Sequence, residues 1–256
     1  MKTVFAFLLV SGAAAGVAGA AQVGIASGSA TLAFDLNTML TQTPLDALNA
    51  AFGITETRTQ CLNLPNNNPG SVLSWAINPV GTPTPAGRSV QGTTLTIDPT
   101  DVLGSWTGGS DSGAFLSGGE QIGFGGMSRW AVDSAFGGGK LLFGDWGLRY
   151  AASRAGTAAG ATSNIRSGLV LTSNIDFLNA TFVDIGNASI VVTGNTLSIT
   201  GDLLASNGLV ALGFPASNLG LDVGDFSLTA TLVPAPGAAA LLGLGVFAAS
   251  RRRRGV

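Results

Sequence analysis

The chain has 256 residues, 12 of them basic and 14 acidic, and no histidine. Without an imidazole there is no Ser-His-Asp or Cys-His catalysis and no histidine-ligated zinc. Lys2 and Arg251 to Arg254 account for five of the basic residues, so the remainder carries seven against all 14 acids, a net charge of −7; no basic patch is left to neutralise phosphates, which excludes nucleic acid as a partner.

The N-terminus reads as an export signal. Lys2 supplies a positive start, Val4 to Val10 is a short apolar run, and Ala18-Gly19-Ala20 is a small-x-small cleavage site. A signal peptide over 1–20 follows, recognised by signal peptidase, with the mature chain starting at Ala21. No cysteine follows the site, so the chain is not a lipoprotein. Residues 21–232 are then a single exported domain, long enough to bury its own core. Cys61 is the only cysteine, so no intramolecular disulfide forms, and a buried free thiol is expected.

Along the domain the apolar pattern has period two. Leu32, Phe34 and Leu36 alternate with Ala33 and Asp35. A short helix is predicted next, with Thr43 as N-cap, Pro44 at the first helical position and Asp46 in the first turn. Leu45, Leu48 and Phe52 would share its face, and Gly53 would stop it. Asn63 to Gly70 and Asn78 to Gly87 are turn-rich loops. Leu95 and Ile97 flank Thr96. Glycine is frequent from Thr107 to Gly139, which implies bulges or close backbone approach, and this part reads as open turns rather than a dry pocket. Ile190-Val191-Val192 and Leu197-Ser198-Ile199 flank a hairpin-like break at Thr193 to Thr196. Phe226, Leu228 and Ala230 alternate with Ser227 and Thr229. The fold class is all-β: an antiparallel, jelly-roll-like β-sandwich with one short helix, plus a signal helix and a C-terminal membrane helix. Leu32, Phe34, Leu95, Ile97, Phe177, Val191, Leu197, Ile199 and Phe226 are the predicted core.

Carboxylates are the remaining route to catalysis. Asp98, Asp101, Asp111, Glu120, Asp133 and Asp145 gather in the middle third, with Trp106, Trp130 and Trp146. Two carboxylates across an aromatic-lined cleft would make a glycosidase. Tryptophans filling the core would argue for turns and packing instead. Asp98-Pro99-Thr100-Asp101 and Gly108-Gly109-Ser110-Asp111 offer oxygen ligands, but neither matches a calcium-loop register. No catalytic, metal or cofactor-binding residue is assigned, and no cofactor is expected.

The C-terminus is the most specific segment. Val233-Pro234-Ala235-Pro236 precedes a stretch without charge, Gly237 to Ser250, and then Arg251-Arg252-Arg253-Arg254. Two prolines mark a boundary. As helix, the apolar stretch would rise about 21 Å, short of the roughly 30 Å hydrocarbon core. Arginines at its end stay cytoplasmic and fix orientation. This order of elements over 233–256, with a short transmembrane helix over 237–250, resembles the PEP-CTERM sorting signal of exported bacterial proteins. Ala235 stands where that family usually has Glu. The resemblance implies transient inner-membrane insertion and cutting near Pro-x-Pro by an exosortase-type sorting enzyme, with the product at the cell surface or outside the cell.

The expectation is therefore a non-enzymatic exported protein of the surface or extracellular matrix, structural or adhesive, with extracellular polysaccharide as a further candidate partner. The alternative is a carbohydrate-binding module or a carboxylate-dependent polysaccharide-degrading enzyme.

Overall fold

The computed structural model describes residues 22–234. Its elements in chain order are β1 (Val23–Phe34), α1 (Leu36–Gln42), β2 (Leu45–Phe52), α2 (Arg58–Asn63), β3 (Val72–Ala76), β4 (Thr96–Ile97), β5 (Ser110–Asp111), β6 (Leu116–Ser117), β7 (Gln121–Val132), β8 (Lys140–Tyr150), β9 (Arg166–Ser173), β10 (Ala180–Thr193), β11 (Thr196–Ala205), α3 (Asn207–Ala211) and β12 (Asp222–Pro234). Strands hold 49% of the described residues and helices 13%, so the all-β class stands. The expected signal and membrane helices lie outside the described residues.

One antiparallel sheet runs β2-β7-β8-β9-β10-β11-β12-β1-β3, with β4 added to β1. The sheet curls until its ends meet. Just past β3, Ile77 bridges to Phe124 of β7, and the Asn78 amide donates to the Gly123 carbonyl at 2.8 Å. β7 therefore carries β2 on one half of its free edge and the end of β3 on the other. Near-closure removes most of the unpaired edge that an open sheet would expose.

The interior is packed by aromatic side chains from opposite walls. Phe34 of β1 meets Trp130 of β7 edge-on, with ring centroids 5.4 Å apart. Phe124 of β7 lies 6.5 Å from Phe226 of β12, and Phe182 of β10 touches both Phe143 and Trp146 of β8. Leu32, Leu95, Ile97, Leu197 and Ile199 complete this core as predicted.

Two of the predicted core residues lie elsewhere. Phe177 is 49% exposed, because Asp176 and Asn179, both in the left-handed region, turn the β9–β10 connection outward. Val191 is 50% exposed. In the Ile-Val-Val run, Ile190 and Val192 face inward, and three branched residues in a row do not reveal which set will. The predicted hairpin is present, with Thr193 facing Thr196 across Gly194-Asn195.

The helix predicted from Pro44 to Phe52 is a correction. That segment is strand β2, paired with β7. The helix lies earlier, as α1, where the Asp35 carboxylate accepts from the Thr38 amide at 3.2 Å. Thr43 does not start a helix but ends this one, its hydroxyl donating to the Met39 carbonyl. The error has a physical source. β2 shifts register between Leu45 and Ala47 and again between Leu48 and Ala50. Each bulge adds a residue, so apolar positions two apart become three apart and imitate a helix. Of the three short α-helices among the described residues, none lies where the sequence predicts a helix. α2 had a readable signal, the Thr57/Gln60 capping box.

The glycine-rich middle is also corrected in part. β7 is buried on both faces over most of its length, not an open turn. Its glycines are sites of close approach, as glycine there implied. A Cβ on Gly123 would sit 2.1 Å from the Gln91 carbonyl, and one on Gly126 would sit 1.9 Å from the Trp75 indole nitrogen.

Candidate functional site

The inner face of the sheet makes the core; the outer face of β7 to β10 is covered by the long loops and is where the polar chemistry lies. Seven basic side chains fall within the described residues, and each is tied down. Arg58 pairs with Asp176. Arg129, fully buried in β7, donates to the Cys61 and Leu64 carbonyls at 2.6 and 2.8 Å and to Asn66 at 2.8 Å, beside the Phe52 ring. Lys140 donates to the Leu62 carbonyl at 2.7 Å. Arg129 and Lys140 thus satisfy the carbonyls at the C-terminal end of α2, where positive charge is favourable. Arg149 donates to the Gly118 carbonyl, and Arg166 to Thr157.

Arg154 is the centre of the densest group. It donates to Asp184 at 2.7 Å, to both oxygens of Asp111 at 3.0 Å, to Ser206 at 2.9 Å and to the Gly113 carbonyl. Burial pushes the Asp184 carboxyl above its ordinary value, while Arg154 and Arg166 pull the other way. For Asp111 burial also opposes charge, but the Arg154 hydrogen bond, the Gly113 amide and the nearby guanidinium charges hold it below the usual range. The arrangement anchors three loops to β10. Its carboxylates are held by guanidinium rather than presented to a cleft.

The carboxylates singled out from sequence are not brought together as a pair flanking a substrate cleft. Asp145 is buried against Arg88. Asp98 accepts from the Thr100 amide at 2.8 Å and Asp101 from the Gly104 amide at 2.9 Å, so each is used within its own loop. Asp133 caps a short 3-10 turn. Among the described residues, no group of three or more His, Cys, Asp or Glu is placed to hold a metal ion. Trp106, Trp130 and Trp146 are buried, as is Trp75, so none offers a face to a sugar.

Two clefts lie on the described domain. One lies between the β9–β10 connection and α3, lined by Phe143, Ile175, Phe177, Leu209 and Leu212, with a cavity volume of about 30 Å³. That is room for about one or two waters. A second is an open groove between Pro99–Leu103 and the side chains of Ile190 and Val192.

Val233 and Pro234 are the last residues of β12, facing Gly24 and Val23 of β1. Ala18, Ala20, Ala21, Ala235, Pro236 and Arg251 to Arg254 lie outside the described residues. Cys61 is buried in α2, and burial raises its thiol pKa, with Arg88 and Arg129 countering and Glu56 and Asp145 adding to the rise.

No protein-family model matches the chain, and no curated protein or solved structure is similar enough to it to count as a match.

Proposed function

We propose that this chain is an exported bacterial protein of the cell surface or extracellular matrix, with a structural or adhesive role. An N-terminal signal delivers it, residues 237–250 hold it briefly in the inner membrane, and an exosortase-type peptidase releases it near Pro234-Ala235-Pro236. The observation that carries this reading is the tail: Val-Pro-x-Pro, an uncharged stretch and four arginines, in that order.

The domain is in keeping with such a role. Its basic side chains are tied down by hydrogen bonds and ion pairs, and its tryptophans fill the core. What β11, β12, β1 and β3 turn outward is mainly hydroxyl. Ser198 faces Thr229, Thr200 faces Ser227, and Thr31 donates to Ser74 at 3.0 Å. Such a face is well hydrated and suits contact with a hydrated polymer.

The test is fractionation of the full chain, tagged at the Gly194-Asn195 turn, in a host that carries the sorting peptidase. The tag is expected in the surface or medium fraction. Replacing Arg251 to Arg254 with Ser should misdirect it. A wild-type chain that stays in the inner membrane with its tail intact, or a Ser variant that reaches the surface equally well, overturns the reading.

A further inference from the structure

β1 and β12 pair to their very ends. Val23 faces Pro234, Gly24 faces Val233, and Ile25 faces Leu232. On its other edge β1 pairs there with β4, Val23 facing Ile97 and Gly24 facing Thr96. The chain therefore enters and leaves the domain at neighbouring points of one sheet.

Protection along β12 changes over three residues. Leu232 is 4% exposed, and its amide donates to the Asn195 carbonyl at 2.7 Å, so it is held by β1, by the hairpin and by the core. Val233 is 40% exposed and pairs only with β1. Pro234 has no amide hydrogen and cannot extend the ladder as a donor.

A peptidase that reads an extended segment does so through main-chain hydrogen bonds. Up to Leu232 those groups are already used, and freeing them means withdrawing a core side chain. Cutting then follows the small population of the opened state.

Resting on the sorting reading above, we propose that the folded sheet fixes the inner limit of C-terminal processing. The peptide C–N bond that breaks lies C-terminal to Pro234, water supplying the hydroxyl of the new carboxyl end and the proton of the released amine. The mature domain keeps Val233 and Pro234 as its last paired residues.

The experiment expresses the full chain in a host with the sorting peptidase and maps the C-terminal peptide of the mature protein by mass. The wild type should end at Pro234 or beyond, with no species ending before Pro234. Deleting Gln22 to Gly24 removes the partners of Val233 and Pro234, and ends at Leu232 or Val233 should then appear. A second variant carries Gly24→Cys and Val233→Cys, since facing antiparallel Cα atoms lie about 4.5–5.5 Å apart, within disulfide range. Oxidised, it should be cut where the wild type is. A wild-type end before Pro234, an unchanged end in the deletion variant, or an oxidised variant cut only after reduction overturns the inference alone. A chain that keeps Arg251 to Arg254 overturns the sorting reading, and the inference with it.

Discussion

Arg88 closes on Asp145 with both side chains wholly buried, its Nε 3.0 and 3.1 Å from the two carboxylate oxygens. Asp145 lies opposite a bulge of β7: Met127 pairs with Gly144 and Phe124 with Trp146, so Gly125 and Gly126 face the single Asp145, which has φ 50°. The bulge turns the carboxylate out of the sheet toward the loops. Arg88 also donates to the Gly53 and Glu56 carbonyls, and the Ser89 amide donates to Asp145. One ion pair thus fastens two loops to the back of β8.

Breaking this pair from one side should therefore be costly. Asp145→Asn keeps a side chain that tolerates positive φ but leaves Arg88 buried without its charge partner. About 3–5 kcal/mol of stability should be lost in urea titrations. Arg88→Met with Asp145→Asn should cost less than the sum of the two single changes. Strict additivity would show that the two groups do not act as a unit.

The glycines of β7 should divide from those in turns. Gly126→Ala places a Cβ 1.9 Å from the Trp75 ring at φ 138°, so the variant should fold poorly or melt far below wild type. Gly194→Ala has open space around it and suffers only its φ of 58°. It should cost about 1–2 kcal/mol. Thermal melts of the two, side by side, check this; equal effects would mean that close packing at β7 is not what requires glycine.

The pH dependence has a sign at Asp222. Burial raises its carboxyl pKa above 3.8, the Gly224 amide works against this, and Asp202, Asp225 and Asp35 add repulsion. Asp202 and Asp225 face each other directly across β11 and β12. The folded state therefore binds the Asp222 proton more tightly than the unfolded state does. Its destabilising charge is fully felt at neutral pH and is relieved as pH falls through the raised value toward 3.8. Asp222→Asn, which keeps an acceptor for the Gly224 amide, should be more stable than wild type at pH 7, and the advantage should shrink toward pH 4. Asp111 runs the other way: its contribution is present above 3.8 and is lost as pH falls through its lowered value. Asp111→Asn should therefore lie closest to wild type in the most acid samples.

Tryptophan emission reports the core directly. With Trp75, Trp106, Trp130 and Trp146 buried, the native spectrum should be blue-shifted and resist acrylamide, and polysaccharide should leave it unchanged. Quenching of the native protein to the level of the unfolded chain would contradict the packing described.

How much of this was legible depended on which faces a strand buries. β1 and β12 show one buried and one wet face, so Leu32, Phe34, Phe226 and Leu228 announce themselves by alternation. β7 and β8 are covered on both sides, so alternation is absent and their glycines resemble loop residues. β2 was misread because its bulges stretch a period of two toward three. Arg88 and Asp145 stand 57 positions apart, and Arg154 and Asp184 stand 30 apart. Nothing local marks such pairs, because their burial exists only once the loops have packed. The reading of the tail rests instead on the order of residues along the chain, Val233 to Arg254, and not on packing.

The meeting of Val23 with Pro234 has a topological consequence. A domain whose first and last described strands pair along one ladder can be closed into a ring by a short linker from Pro234 to Val23 without disturbing the sheet. Closure would leave the native contacts as they are and restrict only the unfolded chain, an entropic gain of about 5 kcal/mol for a loop of this length. New ends opened at Gly194-Asn195 would then fall in an exposed two-residue turn, and the same sheet would be traced from a different starting strand.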